Sequence, residues 1–273
     1  MPLMRSSWLP AGIGIALSLL TVFGIALRRN ARAATETEAR ATAAAASSVV
    51  VELFTSEGCS SCPPADAALS RLAQRAAVPG VAVVPLALHV DYWNDLGWPD
   101  PFSSAAYTAR QREYASATGE RGLYTPQAIV DGEAQMNGAD EPALRRAIAA
   151  AAARPKATVA LERGATARSL VARIGALPAG IDGARVTLAI TEDGLRVDVP
   201  RGENAGRRLD HDGVAREVRA IGAVTAKGGT IEASVRVPAG ARRDRVRFVV
   251  LVSDARTRRV VGVGTLAPAG EFE

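Results

Sequence analysis

An α/β half followed by a half built only of strands is the fold class this sequence predicts. Three observations predict it. Apolar runs and amphipathic helical patterns alternate from about residue 49 to residue 154, as expected of a sheet covered by helices. After Arg154-Pro155 the helical periodicity vanishes, and short alternating runs separated by Gly, Pro and Asp argue an antiparallel, sandwich-like β domain. Both cysteines of the 273-residue chain fall at the first strand-to-helix turn, as Cys59-Ser60-Ser61-Cys62.

The elements follow in order. Residues 49–54 are an apolar strand, and Thr55-Ser56-Glu57-Gly58 is a short polar loop. A helix over 65–76 puts Ala68, Leu69, Leu72 and Ala76 on one face. Residues 81–90 are nearly continuous apolar sequence, the pattern of a central parallel strand. Ser103 caps a helix running to about Thr118, and Gly119 stops it. A strand at 127–130, a turn at Asp131-Gly132 and a helix at 141–153 with Pro142 in its first turn complete this half. The strand-only half has runs at 158–162, 169–174, 185–190, 195–199, 230–237, 245–252 and 260–265.

Composition sets the organisation around these elements. The net charge is +5, but Arg5, Arg28, Arg29 and Arg32 precede Ala33 with no acid among them, and without those four the charge is +1. Lys156 and Lys227 are the only lysines. The remaining charges are interspersed, so nucleic acid is not an expected partner. Residues 9–27 are uncharged, and an Ala-x-Ala pattern follows at Ala31 to Ala33. Residues 1–33 therefore read as a signal peptide or an uncleaved N-terminal anchor, the only expected membrane contact. Residues 34–48 are a low-complexity linker, 49–154 the α/β domain and 155–268 the β domain.

The chemistry centres on the cysteines. Strand, loop, Cys-x-x-Cys and helix together read as a redox dithiol. The helix start offers unpaired N–H groups and a positive dipole end, which favour a thiolate at Cys59. Strand 81–90 should end on the same sheet edge, bringing His89-Val90-Asp91-Tyr92-Trp93 near the dithiol. His89 reads either as a proton shuttle or metal ligand oriented by Asp91, or as a satisfied strand-end histidine. Arg201-Gly202-Glu203-Asn204 reads as a solvated, turn-rich loop, with reach over the dithiol or a lock between the domains as its alternatives, and His211 as an ordinary loop histidine. No phosphate loop, Ser/His/Asp arrangement or pair of catalytic carboxylates stands out.

The first half resembles the thioredoxin fold in its strand ending at Phe54, its Cys59-x-x-Cys62 at a helix start, and Thr125-Pro126 before the next strand. The segment from Glu52 through Gly58, Cys59 and Cys62 to Asp66 is similar to a bacterial and plant family of exported thioredoxin-like proteins, domain of unknown function 1223. So are His89 to Trp93, Arg121 to Gln127 and Arg201 to Arg207. The resemblance covers about residues 49–265 and implies fold and export. It supplies no substrate, because the family's activity is unassigned. It implies that Pro126 is cis and faces the dithiol, with Thr125 and Pro126 holding a substrate strand. Ser60-Ser61 stands where ordinary thioredoxins carry Gly-Pro, and no tryptophan precedes Cys59. Glu52 lies in the strand seven residues before Cys59, a reach similar to that of the buried acid beneath thioredoxin dithiols. It is expected either to relay the proton of Cys62 or to face solvent or an arginine.

The expected function is thiol–disulfide exchange in an exported protein, periplasmic, secreted or anchored in the inner membrane. Cys59 attacks and Cys62 resolves, with Thr125, Pro126 and Glu52 as the supporting site residues. Protein or small-molecule thiols and disulfides are the partners, and no dissociable cofactor is required. The alternatives are a soft-metal protein holding copper through Cys59, Cys62 and His89, and a binding module with a structural disulfide.

Overall fold

The computed structural model describes residues 48–75, 78–120, 122–266 and 272. The leader, the linker through residue 47 and the end of the first helix at Ala76 lie outside the described residues. Strand β1 (Ser48–Thr55) runs into the dithiol loop, and helix α1 (Pro63–Gln74) follows it. Then come β2 (Ala82–His89), α2 (Ala105–Thr118), β3 (Gln127–Val130), β4 (Ala134–Asn137) and α3 (Glu141–Ala152). The strand-only half holds β5 (Val159–Arg163), β6 (Ser169–Ile174), β7 (Gly183–Glu192), β8 (Leu195–Val199), β9 (Arg207–His211), β10 (Val214–Thr225), β11 (Gly229–Ser234), β12 (Val246–Asp254) and β13 (Val260–Leu266). Among the described residues no helix is long and apolar enough to cross a membrane.

Local chemistry explains the helix ends. Pro63 opens α1 with the φ a first turn needs and no wasted donor. The cap of α2 is Ser104, one residue after the expected Ser103, and its hydroxyl accepts from Ala106 N at 3.2 Å. Ser103 instead donates to Asp100 O. Gly119 ends α2 in the left-handed region at φ 74°. Asp140 caps α3 by accepting from Ala143 N.

One eight-stranded sheet runs β13-β12-β7-β10-β2-β1-β3-β4. β1 and β2 are parallel with Thr55 opposite His89, and β3 lies antiparallel to β1 with Gln127 opposite Phe54. A second sheet, β11-β6-β5, supplies the sandwich face of the strand-only half. Val159, Leu170, Ala172 and Ile174 from it pack on Val186, Leu188, Phe248 and Val250 of the large sheet. β8 and β9 form a separate hairpin.

The change of architecture falls at residue 154, yet it is a change within one sheet rather than a gap. β2 of the first half pairs β10 of the second through Val214 and Ala87. A single apolar cluster takes Val50, Val84 and Leu86 from one half and Ala189, Val249, Leu251 and Val263 from the other. The joining strand β10 escapes a reading by period two because it carries bulges between Ala215 and Glu217 and between Ala220 and Gly222, each of which flips the alternation.

β1 sorts its side chains between two layers. Val49, Val51 and Leu53 pack under α1 and α3 with Leu69, Leu72, Leu144 and Ile148. Phe54 packs on the opposite face with Tyr107 and Tyr114 of α2. This sorting decides which acids can reach the dithiol.

The joint between halves gives a stability test. Gly213 precedes β10 at φ 66°, its carbonyl accepts from Ala87 N, and an added Cβ would meet Pro85 Cβ and O at 2.8 Å. Gly213→Ala should cost about 1–2 kcal/mol from the left-handed backbone alone, and more from the clash. Urea unfolding of the variant at unchanged midpoint would refute this account of the joint.

Candidate functional site

The loop after β1 carries the dithiol. Cys59 N donates to Ser56 O, and Cys62 N donates to Cys59 O, so the chain turns tightly into α1. Cys62 is the N-cap residue of α1. Its carbonyl accepts from Ala65 N and Asp66 N, while its side chain is joined to Cys59 in a disulfide with Cα atoms 5.4 Å apart. Both cysteines are fully buried, whereas Ser60 and Ser61 are exposed. Ser61 Oγ lies 3.3 Å from Cys59 Sγ. A disulfide sulfur carries no proton, so the hydroxyl donates.

Distant side chains hold the loop's backbone. Glu57 N donates to Asp100 Oδ2 at 2.8 Å. Asn204 Nδ2 donates to Glu57 O at 2.8 Å and to Cys59 O at 3.0 Å. Ser60 N donates to Glu203 Oε2 at 2.9 Å, and this bond holds the Glu203 carboxyl below its ordinary pKa. The segment 201–207 thus lies against the dithiol loop, tied to it by Asn204 and Glu203 while most of its other residues are exposed. Asn204, with no exposed surface, is its anchor.

Thr125-Pro126 is a cis peptide, and Pro126 is buried beside the end of β1 through the pairing of Phe54 with Gln127. Thr125 Oγ1 accepts from Trp93 Nε1 at 2.9 Å. Trp93 also presses on the loop, its Cβ 3.2 Å from where a Cβ on Gly58 would sit. The 89–93 segment therefore reaches the dithiol loop as expected, through Trp93. Asp91 does not orient His89; its carboxylate accepts from Thr108 Oγ1 at 2.5 Å.

Glu52 is elsewhere. It is fully buried on the α2 face of β1, where Arg110 Nε and Nη2 donate at 2.5 and 2.9 Å and Tyr114 OH donates at 2.6 Å. Of the two expectations for Glu52, the arginine partner is the one present. The reason is strand alternation: α1, which carries the dithiol, covers the other face. Burial and the Glu52 charge push the Tyr114 hydroxyl well above the usual tyrosine range.

The acids on the dithiol side are ones the pattern did not single out. His89, Asp100, Glu57, Asp66 and His211 form one buried cluster behind the loop. His89 Nδ1 lies 2.7 Å from Asp100 Oδ2, and His211 Nε2 lies 3.3 Å from Glu57 Oε1. The two imidazoles, the chain's only histidines, stand edge to face with centroids 5.1 Å apart. Thr55 Oγ1 donates to Asp66 Oδ2, and Trp98 Nε1 donates to Glu57 Oε2 at 2.7 Å. Among the described residues, all buried side-chain N and O atoms without a hydrogen-bond partner belong here, on Glu57, Asp66, His89 and His211.

Burial shapes the charges of this cluster. Desolvation raises the pKa of Asp66 against the pull of both histidines. Desolvation alone would depress His89, but the Asp100 carboxylate, with Asp66 and Glu57, outweighs it and the net shift is upward. Burial opposes ionisation of Asp100, yet His89 and the N–H groups of Glu57 and Phe102 bring it below its ordinary value. Among the described residues no group of three or more His, Cys, Asp or Glu is arranged to hold a metal ion.

The raised His89 pKa fixes the sign of a pH effect. Its folded value lies above the unfolded 6.5, so its stabilisation is full below that pH and is lost as pH rises through the folded value. Asp66, also raised, has the same sign in a window beginning at 3.8. Unfolding free energy should therefore fall from about pH 6.5 upward, and fall less in His89→Gln. A flat profile identical in both proteins would contradict the cluster's electrostatics.

The family described as "Protein of unknown function (DUF1223)" matches residues 50–253. A crystal structure of a protein from Agrobacterium tumefaciens is 32% identical, with a TM-score of 0.67, over 81% of this chain and 94% of that one. A domain of the outer membrane lipoprotein Omp28 from Porphyromonas gingivalis is 13% identical, with a TM-score of 0.25, over 41% of this chain and 87% of that one. The latter likeness is too slight to bear on the fold. No curated protein matches the chain.

Proposed function

We propose that this chain, which belongs to the DUF1223 family of proteins of unknown function, exchanges thiols and disulfides through Cys59 and Cys62. The observation that carries the reading is the disulfide at the start of α1, with the Ser61 hydroxyl on Cys59 Sγ. A hydroxyl donor and the helix N-terminus both favour the thiolate form of Cys59. In the reducing direction, Cys59 thiolate attacks a partner disulfide and one partner sulfur leaves as thiolate. Cys62 then attacks Cys59 Sγ, releasing the second partner sulfur and re-forming the internal disulfide. The two electrons and two protons of the dithiol pass to the partner. The partners are protein or small-molecule thiols and disulfides, and no dissociable cofactor enters the balance.

The leader-like residues 1–33 support an exported protein, periplasmic or secreted, or held in the inner membrane where the leader is retained. A second reading, a structural staple in a binding module, is favoured by the complete burial of both sulfurs.

Exchange and staple differ in one test. Cys62→Ser, incubated with glutathione disulfide, should accumulate a glutathione mixed disulfide at Cys59, seen as a mass increase mapped by peptide digestion. A Cys59 that stays unmodified under conditions that modify a free cysteine peptide and the unfolded variant would favour the staple.

A further inference from the structure

The two cysteines of the proposed exchange site have no exposed surface, and the segment between β8 and β9 is hydrogen-bonded to their loop on its outer side, at Ser60 N, as well as at Glu57 O and Cys59 O. A thiolate must approach a disulfide along the S–S axis, so the covered arrangement admits no partner. We propose that residues 202–207 form a lid that keeps the Cys59–Cys62 pair closed, with Asn204 its latch and Glu203 its outer tie, and that lid opening precedes exchange. The chemistry of the opened state rests on the thiol-exchange reading above. The lid itself does not.

Four observations carry this. Asn204 is fully buried and spends its amide on the dithiol loop, with two donor contacts to Glu57 O and Cys59 O. Its own carbonyl oxygen accepts from Arg207 Nη1 at 2.8 Å, which sets the amide orientation. Glu203 lies at the surface, yet its carboxylate accepts from Ser60 N, inside the Cys59–Cys62 span. The lid enters through Gly202 at φ 81°, where an added Cβ would meet Trp98 Cβ at 3.1 Å.

The lid also has the build of a part that can lift. It is the turn of the β8–β9 hairpin, a two-stranded sheet outside the large sheet. No ladder bond of the large sheet breaks when the turn moves. Among the described residues the turn is tied to the dithiol loop only through the side chains of Asn204 and Glu203, and the hairpin is held lower down, where Gln74 Nε2 donates to Asp212 Oδ2 and His211 lies on Glu57. Lifting the turn frees Glu57 O, Cys59 O and Ser60 N beside the disulfide. These are two acceptors and one donor, which water or a partner's backbone can satisfy.

Dithiothreitol tests the lid without any physiological partner. One of its thiolates attacks Cys59 Sγ and Cys62 leaves as thiolate, taking up a proton. Its second thiol then closes the cyclic disulfide and releases Cys59. The rate is read by acid quench, maleimide labelling and mass. In the full chain, Glu203→Ala and Asn204→Ala should each speed reduction, by roughly three- to tenfold for one lost hydrogen bond, and Asn204→Ala by the larger factor. Glu203→Ala changes an exposed residue and keeps the test alive if Asn204→Ala fails to fold. Acceleration should persist without urea and rise little with low urea. Wild-type rates in both folded variants, or a urea dependence matching global unfolding, would overturn the lid. Faster reduction alongside failed glutathione trapping at Cys59 would leave the lid standing and remove only the exchange reading.

Discussion

A loop that leaves a sheet and enters a helix beneath other chain cannot leave its backbone groups unpaired. The loop from Ser56 to Ser61 meets that constraint with side chains from far along the sequence. Asp100 takes Glu57 N, Asn204 takes Glu57 O and Cys59 O, and Glu203 takes Ser60 N. Two of these residues come from the strand-only half. The dithiol is therefore not a site of the α/β half alone. It is completed by the β8–β9 hairpin, and the hairpin is fixed in place because β10, which follows it, enters the large sheet beside β2.

The same geometry builds the buried cluster. Thr55 and His89 are parallel-strand partners on one sheet face, and α1 lowers Asp66 onto Thr55. β9 then brings His211 against Glu57 and His89. Burying so many titratable groups is costly unless they pair. The pairing is uneven: His89 and Asp100 satisfy each other on one side, while polar atoms of Glu57, Asp66 and His211 stay without hydrogen-bond partners. Asp100 belongs to both systems, since Oδ2 serves His89 and Glu57 N together. A change of charge behind the loop is thus one carboxylate away from the loop's backbone.

What the sequence made legible was local. The strand before the dithiol, the helix after it, Gly119 as a helix stop and Pro142 in a first turn depend on neighbours a few residues away. So does the switch to strands after residue 154. The placement of Pro126 came through family likeness, not through pattern. What stayed hidden depends on pairing over long separations. Glu52 lies in an apolar run, but only the third dimension shows that Arg110 and Tyr114 sit over it. His211 looked like a loop histidine because nothing in residues 207–211 announces a partner at Glu57. The 201–207 segment has the composition of a solvated turn, and most of it is exposed; Asn204 alone is buried. Lys156 likewise gave no sign of a partner in the sequence, yet its side chain is buried on Asp131 at 2.5 Å, where its charge eases the burial of that carboxylate.

The central claim is that Cys59 and Cys62 form an exchangeable pair and not a permanent staple. The most direct measurement is the reduction potential of the folded protein, by equilibration with defined dithiothreitol and glutathione buffers to a common end point from both directions. An exchangeable pair should equilibrate above roughly −300 mV, within reach of cellular thiol couples. A potential well below that, with the reduced protein failing to keep its fold, would contradict the account and make the disulfide a structural bond.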